Sequence, residues 1–488
     1  MNHGIQSPAG VLTGRIKEPP NSLINEAILQ PQFAYESEYL LPFYIQIEKV
    51  MVSEYQRLSL ITEEEAQELL LVLGQIDKHT LTAEPQENMS DICFAIERYV
   101  ESRLTHPIIA WHADRSRNDV QATAQLMFAR EQLLGLVGEL LAMADAVLEQ
   151  AEQQVDLPMP GYTHYQSAQI ITAGFYWTAV NERIGKTVNR LMNVYEELNE
   201  CPLGAGAMAG LELAWDREWL AGQLGFARSC RHALVSVASR EWMLHIGAEL
   251  STFSVTLSRF VTDLITWGSS EYRLMDLPDQ LAGISSAMPQ KKNFPILERI
   301  RGNTAHITAY YLDFSLAQRN TPFTNLVETS KEGGKNFIHL IDNVKLLFQL
   351  FTTVVEQIRF QEERTYQICS QEFFGGLTLA NQLCFQEKIP YRKAQVIAGR
   401  YIVKMLECDR QPKHTDIQCL QEICEAEGYT IGFSESNLRD VFNVEHSIYS
   451  KKTLGSTNPV EIASLLIRQK DERNIQRIQW QKAVKAHL

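Results

Sequence analysis

The sequence predicts an all-α fold, on three observations. Gly and Pro are sparse, 26 and 17 of 488 residues, which favours long helices over turn-rich sheets. Apolar residues recur at alternating three- and four-residue steps in four separate stretches, each a stripe down one helix face. Strand-like alternation of apolar and polar residues is weak throughout.

The elements follow in chain order. Up to about residue 110 the pattern gives shorter helices, and Thr62 with Glu65 reads as a capping box. The first long stripe is Leu133, Val137, Leu140, Ala144 and Val147. Residues Pro158 to His164 then read as a turn leading into a helix, whose stripe is Val180, Ile184, Val188, Leu191, Tyr195 and Leu198. The Gly/Ala-rich stretch 200–216 reads as irregular. A third stripe runs from Ile246 to Trp267 through Leu250, Phe253, Leu257, Phe260 and Leu264. Residues 278–295, with Pro278, Gly283, Pro289 and Pro295, read as a long loop. The fourth stripe is Phe337, Ile341, Val344, Phe348, Phe351, Val355 and Ile358. The rest returns to helices and loops, with a turn at Gly455 to Pro459. Stripes of this length seek partner helices, within the chain or between chains. The expected division is an N-terminal helical domain (1–111), a central helix bundle (112–368) and a C-terminal helical domain (369–488).

Lys plus Arg number 45 and Asp plus Glu 59, a net charge of −14. That excess argues against nucleic acid or an anionic membrane surface as partner, since both are polyanions, but leaves small anionic ligands open. No apolar run reaches the roughly 18 residues of a membrane span. Met1 to Gly14 lacks a basic stretch followed by an apolar block, so a cytoplasmic protein without a secretory signal is expected. The eight Cys have no paired zinc spacing; Cys419 and Cys424 read as thiols on a helix. Neither a metal nor a nucleotide cofactor is expected, because no phosphate-cradling glycine loop is found.

Three clusters carry candidate chemistry. Arg115, Ser116, Arg117, Asn118 and Asp119 precede the first long helix, where guanidiniums and a helix N-terminus suit carboxylates. Thr163 and His164 follow a Pro-Gly pair, and a histidine exchanges protons near neutrality. Ser285, Ser286, Met288, Pro289, Lys291, Lys292 and Asn293 join hydroxyls, ammoniums and an amide on one loop, a set suited to a developing oxyanion. Taken singly, each also fits a plain role: a solvated basic turn, a structural histidine, a basic surface loop.

In this order and at these separations, the three clusters resemble the signature regions of the fumarase/aspartase superfamily, and best those of argininosuccinate lyases. The family's His-x-x-Arg-Ser-Arg-Asn-Asp is matched by His112 to Asp119, and its Pro-Gly-Tyr-Thr-His-x-Gln by Pro160 to Gln166. Its glycine-rich block is matched by Pro202 to Gly210, and its Ser-Ser-x-Met-Pro-x-Lys-x-Asn by Ser285 to Asn293; Ser456-Thr457 echoes its C-terminal pattern. The resemblance implies a helical homotetramer whose sites are shared between subunits, and β-elimination of fumarate from an N-substituted aspartate. It implies Ser285 as base, Lys291 and Asn293 on the carboxylate where charge develops, and His164 paired with Glu298 to support protonation of the leaving nitrogen. Ser116, Arg117, Asn118, Thr163 and Gln166 would bind substrate.

The sequence also departs from the family. Ile284 stands where the family has Gly before the serines, and Phe294 intervenes between Asn293 and Pro295. Positions that serve the arginine half of the substrate read as Phe33, Ser37, Pro322, Val327 and Ser330, with Lys331 one place off. The fumarate-forming half is kept and the arginine-recognising half is largely replaced. The first expectation is therefore a lyase with a non-arginine amine product. An argininosuccinate lyase with a drifted pocket and a non-catalytic structural homologue are the alternatives.

Overall fold

A computed structural model describes residues 15–16 and 18–487 of the chain. The Met1–Gly14 segment, on which the expected lack of a secretory signal rests, lies outside the described residues. The principal elements are α1 (Gln30–Tyr39), α2 (Leu41–Arg57), α3 (Ile92–Glu101), α4 (Arg117–Gln153), β1 (Pro158–Thr163), β2 (Gln166–Thr172), α5 (Ala173–Glu197), α6 (Glu241–Trp267), α7 (Pro295–Gln318), α8 (Phe337–Gln357), α9 (Tyr391–Glu407), α10 (Ile417–Ala426) and α11 (Pro459–His487). The fold is almost entirely helical, as the sequence predicts.

Each of the four stripes falls on one long helix, α4, α5, α6 or α8, and nearly every stripe residue is buried. Burying each such side chain contributes about 1.5–3 kcal/mol, so the stripes fix which faces meet. α4 packs on α5 and α8, and α6 on α7. By length and apolar composition the α8 region could cross a membrane, yet Phe337, Ile341, Val344, Phe348 and Phe351 are seated in the bundle core. Thr62 and Glu65 form the expected capping box.

One core joins Phe33 through Phe360 with Ile462 and Leu466. A separate core joins residues between Leu379 and Phe442 on α9, α10 and their neighbours. α11 returns to the bundle and packs on α4 and α5, where the Trp480 indole N–H donates to the Leu134 carbonyl at 2.8 Å. The 369–488 segment is thus shared between a small helical unit and the bundle. α11 carries almost no one-sided apolar stripe; side-chain hydrogen bonds help seat it, such as that from the Asn181 amide N–H to the Gln469 Oε1 at 3.0 Å, which periodicity does not register.

Two regions differ from their sequence reading. Pro158 to His164 is not a turn into a helix but the first arm of an antiparallel hairpin with Gln166–Thr172. The helix begins only at Ala173, capped by Thr172, whose hydroxyl accepts from the Phe175 N–H at 3.1 Å. The 24-residue α7 also follows directly from the loop at Pro295, a favoured first helical position. Its buried residues Leu297, Ile300, Ile307 and Phe314 are too interrupted by polar ones to form a long stripe.

Candidate active site

The first cluster begins with a junction. His112 and Asp114 both have positive φ, 71° and 50°, and bring the chain round to the N-terminus of α4. Ser116 caps that helix, its hydroxyl accepting from the Asn118 N–H at 3.2 Å. Arg115 points inward and forms a two-pronged ion pair with Glu48, both side chains almost fully buried. Burial opposes ionisation of Glu48, but the Arg115 charge and hydrogen bonds prevail and hold its carboxyl below the ordinary value. Burial, then the Arg115 charge, pushes His112 down to about 3. Arg115 is therefore spent on the fold and is not a free carboxylate binder. Arg117 faces outward, pairs with Asp91 at 2.7 Å and lies over the Phe94 ring. An exposed pair of this kind is worth at most about 1 kcal/mol, so Arg117 can exchange Asp91 for another carboxylate. A cleft of about 370 Å³ lined by Phe94, Glu97, His112, Arg115, Ser116 and Arg117 opens here.

Asp119 is a structural centre, a role the sequence reading did not assign to it. Its carboxylate accepts the backbone N–H groups of Gly204 and Gly206, both at 2.9 Å. Those glycines have φ of +82° and +63°, the left-handed region that a Cβ disfavours. Asn118 donates to the Ala207 carbonyl at 3.1 Å, and Asp114 accepts from the backbone of Glu212 and Leu213. The first motif and the glycine-rich block are thus one folded unit. The sequence offered Asp119 in one motif and the alternate glycines Gly204 and Gly206 in the other, but no signal that they pair.

Thr163, His164 and Gln166 surround the tip of the hairpin. His164 and Tyr165 form its two-residue turn, with φ of 53° and 59°. That is the turn type whose twist matches paired strands, though two L residues are strained there. All four side chains are exposed and carry no hydrogen bond to the rest of the described chain. The base of the hairpin, by contrast, is fixed: Ile170 packs with Cys369, Val444 and Ile448, and the Thr172 N–H donates to the Thr457 hydroxyl at 3.0 Å.

The third cluster is a loop pinched at its neck. Gly283 and Asn293 exchange backbone hydrogen bonds at 2.8 and 3.1 Å, closing residues 284–292 into a surface loop. Gly283 is required at the neck, since a Cβ would meet Pro295 at 2.8 Å. Within the loop the Ser285 hydroxyl accepts from the Met288 N–H at 3.1 Å. Lys292 is engaged with Asp276 and Asp279 at 3.1 and 3.2 Å. Lys291 makes no ion pair within the described chain, so its ammonium is the loop's available charge. Glu298 is exposed in the first turn of α7, and Ile284 is 96% exposed.

Ser285, Lys291, Asn293 and Glu298 therefore share one loop–helix junction. Ser116, Arg117 and Asn118 share a second, and Thr163, His164 and Gln166 a third. Among the described residues of one chain, no hydrogen bond or ion pair joins any of the three groups; in particular His164 does not meet Glu298.

A protein family described as Lyase matches residues 45–308, more than half of the chain and a span holding all three groups. The argininosuccinate lyase of Aquifex aeolicus (strain VF5) is 30% identical over 95% of this chain and 99% of its own length. The chain belongs to the argininosuccinate lyase family. That of Alkaliphilus metalliredigens (strain QYMF) is 29% identical over 83% of this chain and 86% of its own. The fold is that of the fumarase/aspartase superfamily. EDDS lyase in complex with formate superposes with a TM-score of 0.84 at 24% identity, over 97% of this chain and 94% of that one. Class II fumarase from Schistosoma mansoni does so with a TM-score of 0.69 at 14% identity, over 88% and 94%. Family membership supports a fumarate-releasing carbon–nitrogen lyase acting on a small dicarboxylate; it leaves the amine open.

Proposed function

We propose that the protein eliminates fumarate from an N-substituted aspartate whose amine product is not arginine, as a cytoplasmic homotetramer in a biosynthetic route. One observation carries this reading: the 283–293 loop keeps Ser285, an unpaired Lys291 and Asn293, while the positions serving arginine in the family are Phe33, Pro322, Val327 and Ser330.

The difficulty of the reaction is a weakly acidic C–H next to a carboxylate. Ser285 removes that proton, and Lys291 and Asn293 hold the carboxylate as charge develops on it, an interaction stronger in the transition state than in the ground state. Proximity of the Lys291 ammonium favours the ionised serine. Ser116, Arg117, Asn118, Thr163 and Gln166 bind the succinyl half. His164, oriented by Glu298 of another subunit, supports protonation of the departing nitrogen as the C–N bond breaks.

The test is to incubate the protein with argininosuccinate and with a panel of other N-substituted aspartates, following fumarate by its absorbance. Turnover of panel members without argininosuccinate turnover is expected. Robust argininosuccinate turnover would select the ordinary family activity, which the curated relatives favour. No fumarate from any compound would favour a structural homologue. Within an active enzyme, Ser285→Ala should abolish elimination and leave assembly unchanged; near-normal turnover removes Ser285 as the base.

A further inference from the structure

The pinched loop is held to the rest of the protein at one leg only. Between residues 284 and 291 its hydrogen bonds are internal. The Met288 N–H donates to the Ser285 hydroxyl and the Lys291 N–H to the Met288 carbonyl, both at 3.1 Å. Among the described residues, no hydrogen bond or ion pair joins this stretch to the remaining chain. Lys292 is different. Its ammonium reaches Asp276 at 3.1 Å, Asp279 at 3.2 Å and the Leu277 carbonyl at 2.6 Å, an acceptor for each of its three N–H donors.

Those acceptors stand on a fixed frame. Met275–Asp276 pairs antiparallel with Arg359–Phe360, just beyond α8. The Leu274 N–H donates at 2.8 Å to the carbonyl of Trp267, the last residue of α6. The Asp276 carboxylate is oriented by the Leu277 N–H at 2.9 Å. Phe294 completes the frame. Its ring centroid is 6.0 Å from the Lys292 ammonium, and it rests against Gly268, where a Cβ would collide with both that ring and Met275. The residue that interrupts the family pattern is thus built into the anchor.

Lys291 and Lys292 are neighbours of equal charge, and the acid pair takes only Lys292. Without it, Asp276 and Asp279 would set two negative charges beside a loop that has to hold a carboxylate. We propose that Lys292 is a positioning residue: clamped by Asp276, Asp279 and the Leu277 carbonyl, it fixes the trailing leg of the loop, so that Ser285 and Lys291 meet the substrate in one arrangement. The effect on turnover rests on the lyase reading; the clamp can be measured without it. Exposed ion pairs are individually weak, so the clamp acts through how often the loop is in place, not by locking it.

Hydrogen exchange of the full-length protein, followed by mass spectrometry over residues 283–293, reads the clamp directly. Exchange there should be about tenfold faster in Lys292→Met and in Asp276→Asn/Asp279→Asn, and unchanged in Lys292→Arg. Exchange over α6 should be the same in all of them. Equal loop exchange in wild type and both clamp variants overturns the proposal. So does loosening that spreads through α6, which would make Lys292 a support of the fold. Fumarate release is measured separately. In an active enzyme both clamp variants should lower kcat about tenfold and leave KM within about twofold, while Lys292→Arg keeps kcat. A loosened loop in the variants, with no fumarate released even by the wild type, sinks the lyase reading and keeps the clamp. A loosened loop with undiminished kcat keeps the lyase reading and overturns the positioning role.

Discussion

At the scale of single residues, the basic motif before α4 divides its labour by orientation. Arg115 turns inward to Glu48 and Arg117 outward to Asp91, although they are two positions apart. Removing one partner of a buried pair strands the other charge, so Glu48→Ala should lower stability by about 3–5 kcal/mol, read as a denaturant midpoint shift. The equivalent loss at Asp91 should stay within about 1 kcal/mol for the ion pair. Two neighbours give opposite pH dependences. His112 has a folded pKa of about 3, so its contribution to stability is complete above about 6.5 and is lost as pH falls through the window below. Asp119 is pushed up to about 6 by burial, against the N–H groups of Gly206 and Gly204. The folded state then binds that proton more tightly than the unfolded state, and stability from this group falls as pH rises from about 4 to 6. Chemical denaturation across this range should therefore show His112→Asn gaining relative to wild type as pH falls, and Asp119→Asn losing. Parallel curves would refute both assignments.

Among elements, the hairpin and the pinched loop present chemistry on supports of different kinds. The hairpin is anchored at its base by Ile170 and Thr172 while its tip holds two L residues at positive φ. Strain at such positions persists where surrounding structure over-determines it, and it clusters at functional sites. Tyr165 is 74% exposed, so Tyr165→Gly forfeits little packing and should raise stability by about 0.5–1 kcal/mol, measured by thermal unfolding. A loss of stability would mean the turn is not strained. In the loop, Ile284 projects into solvent within one chain, where the family pattern has glycine. Phe294, at the N-terminal boundary of α7, rests on Gly268, whose missing Cβ would lie 3.0 Å from the ring. The insertion is thus packed into the fold at the base of the loop.

For the whole molecule, the separation of the three groups is the decisive fact. A single chain exposes Thr163, His164 and Gln166 on the hairpin tip and Lys291 and Glu298, with the half-buried Ser285, at the pinched loop, and among the described residues no hydrogen bond or ion pair joins them. If sites are shared in a tetramer, then hybrids of Ser285→Ala and His164→Ala chains should regain turnover that neither parent has, because some sites draw both intact residues from different chains. Light scattering should give the mass of four 55.6 kDa chains. Inactive hybrids with intact assembly would place both residues in a site drawn from one chain.

The sequence by itself determined the four long helices, since a stripe at 3.6-residue period has one stable use, and it determined the order of the three motifs. It also determined that the Arg115–Asp119 cluster lies at the start of α4 and that residues 278–295 interrupt the helical pattern. Tertiary structure decided the rest. A Pro-Gly-Tyr-Thr-His run is compatible with a turn into a helix or with a strand, and only the pairing with Gln166–Thr172 chose the strand. The charges near the motifs read alike in the sequence, but burial gave Arg115 to Glu48, surface pairing gave Lys292 to Asp276 and Asp279, and Lys291 was left unpaired. Glu36 and Lys331 are 295 positions apart, and nothing periodic links them. Local pattern encodes which face of an element is buried; which charges meet across the core depends on how those faces are stacked.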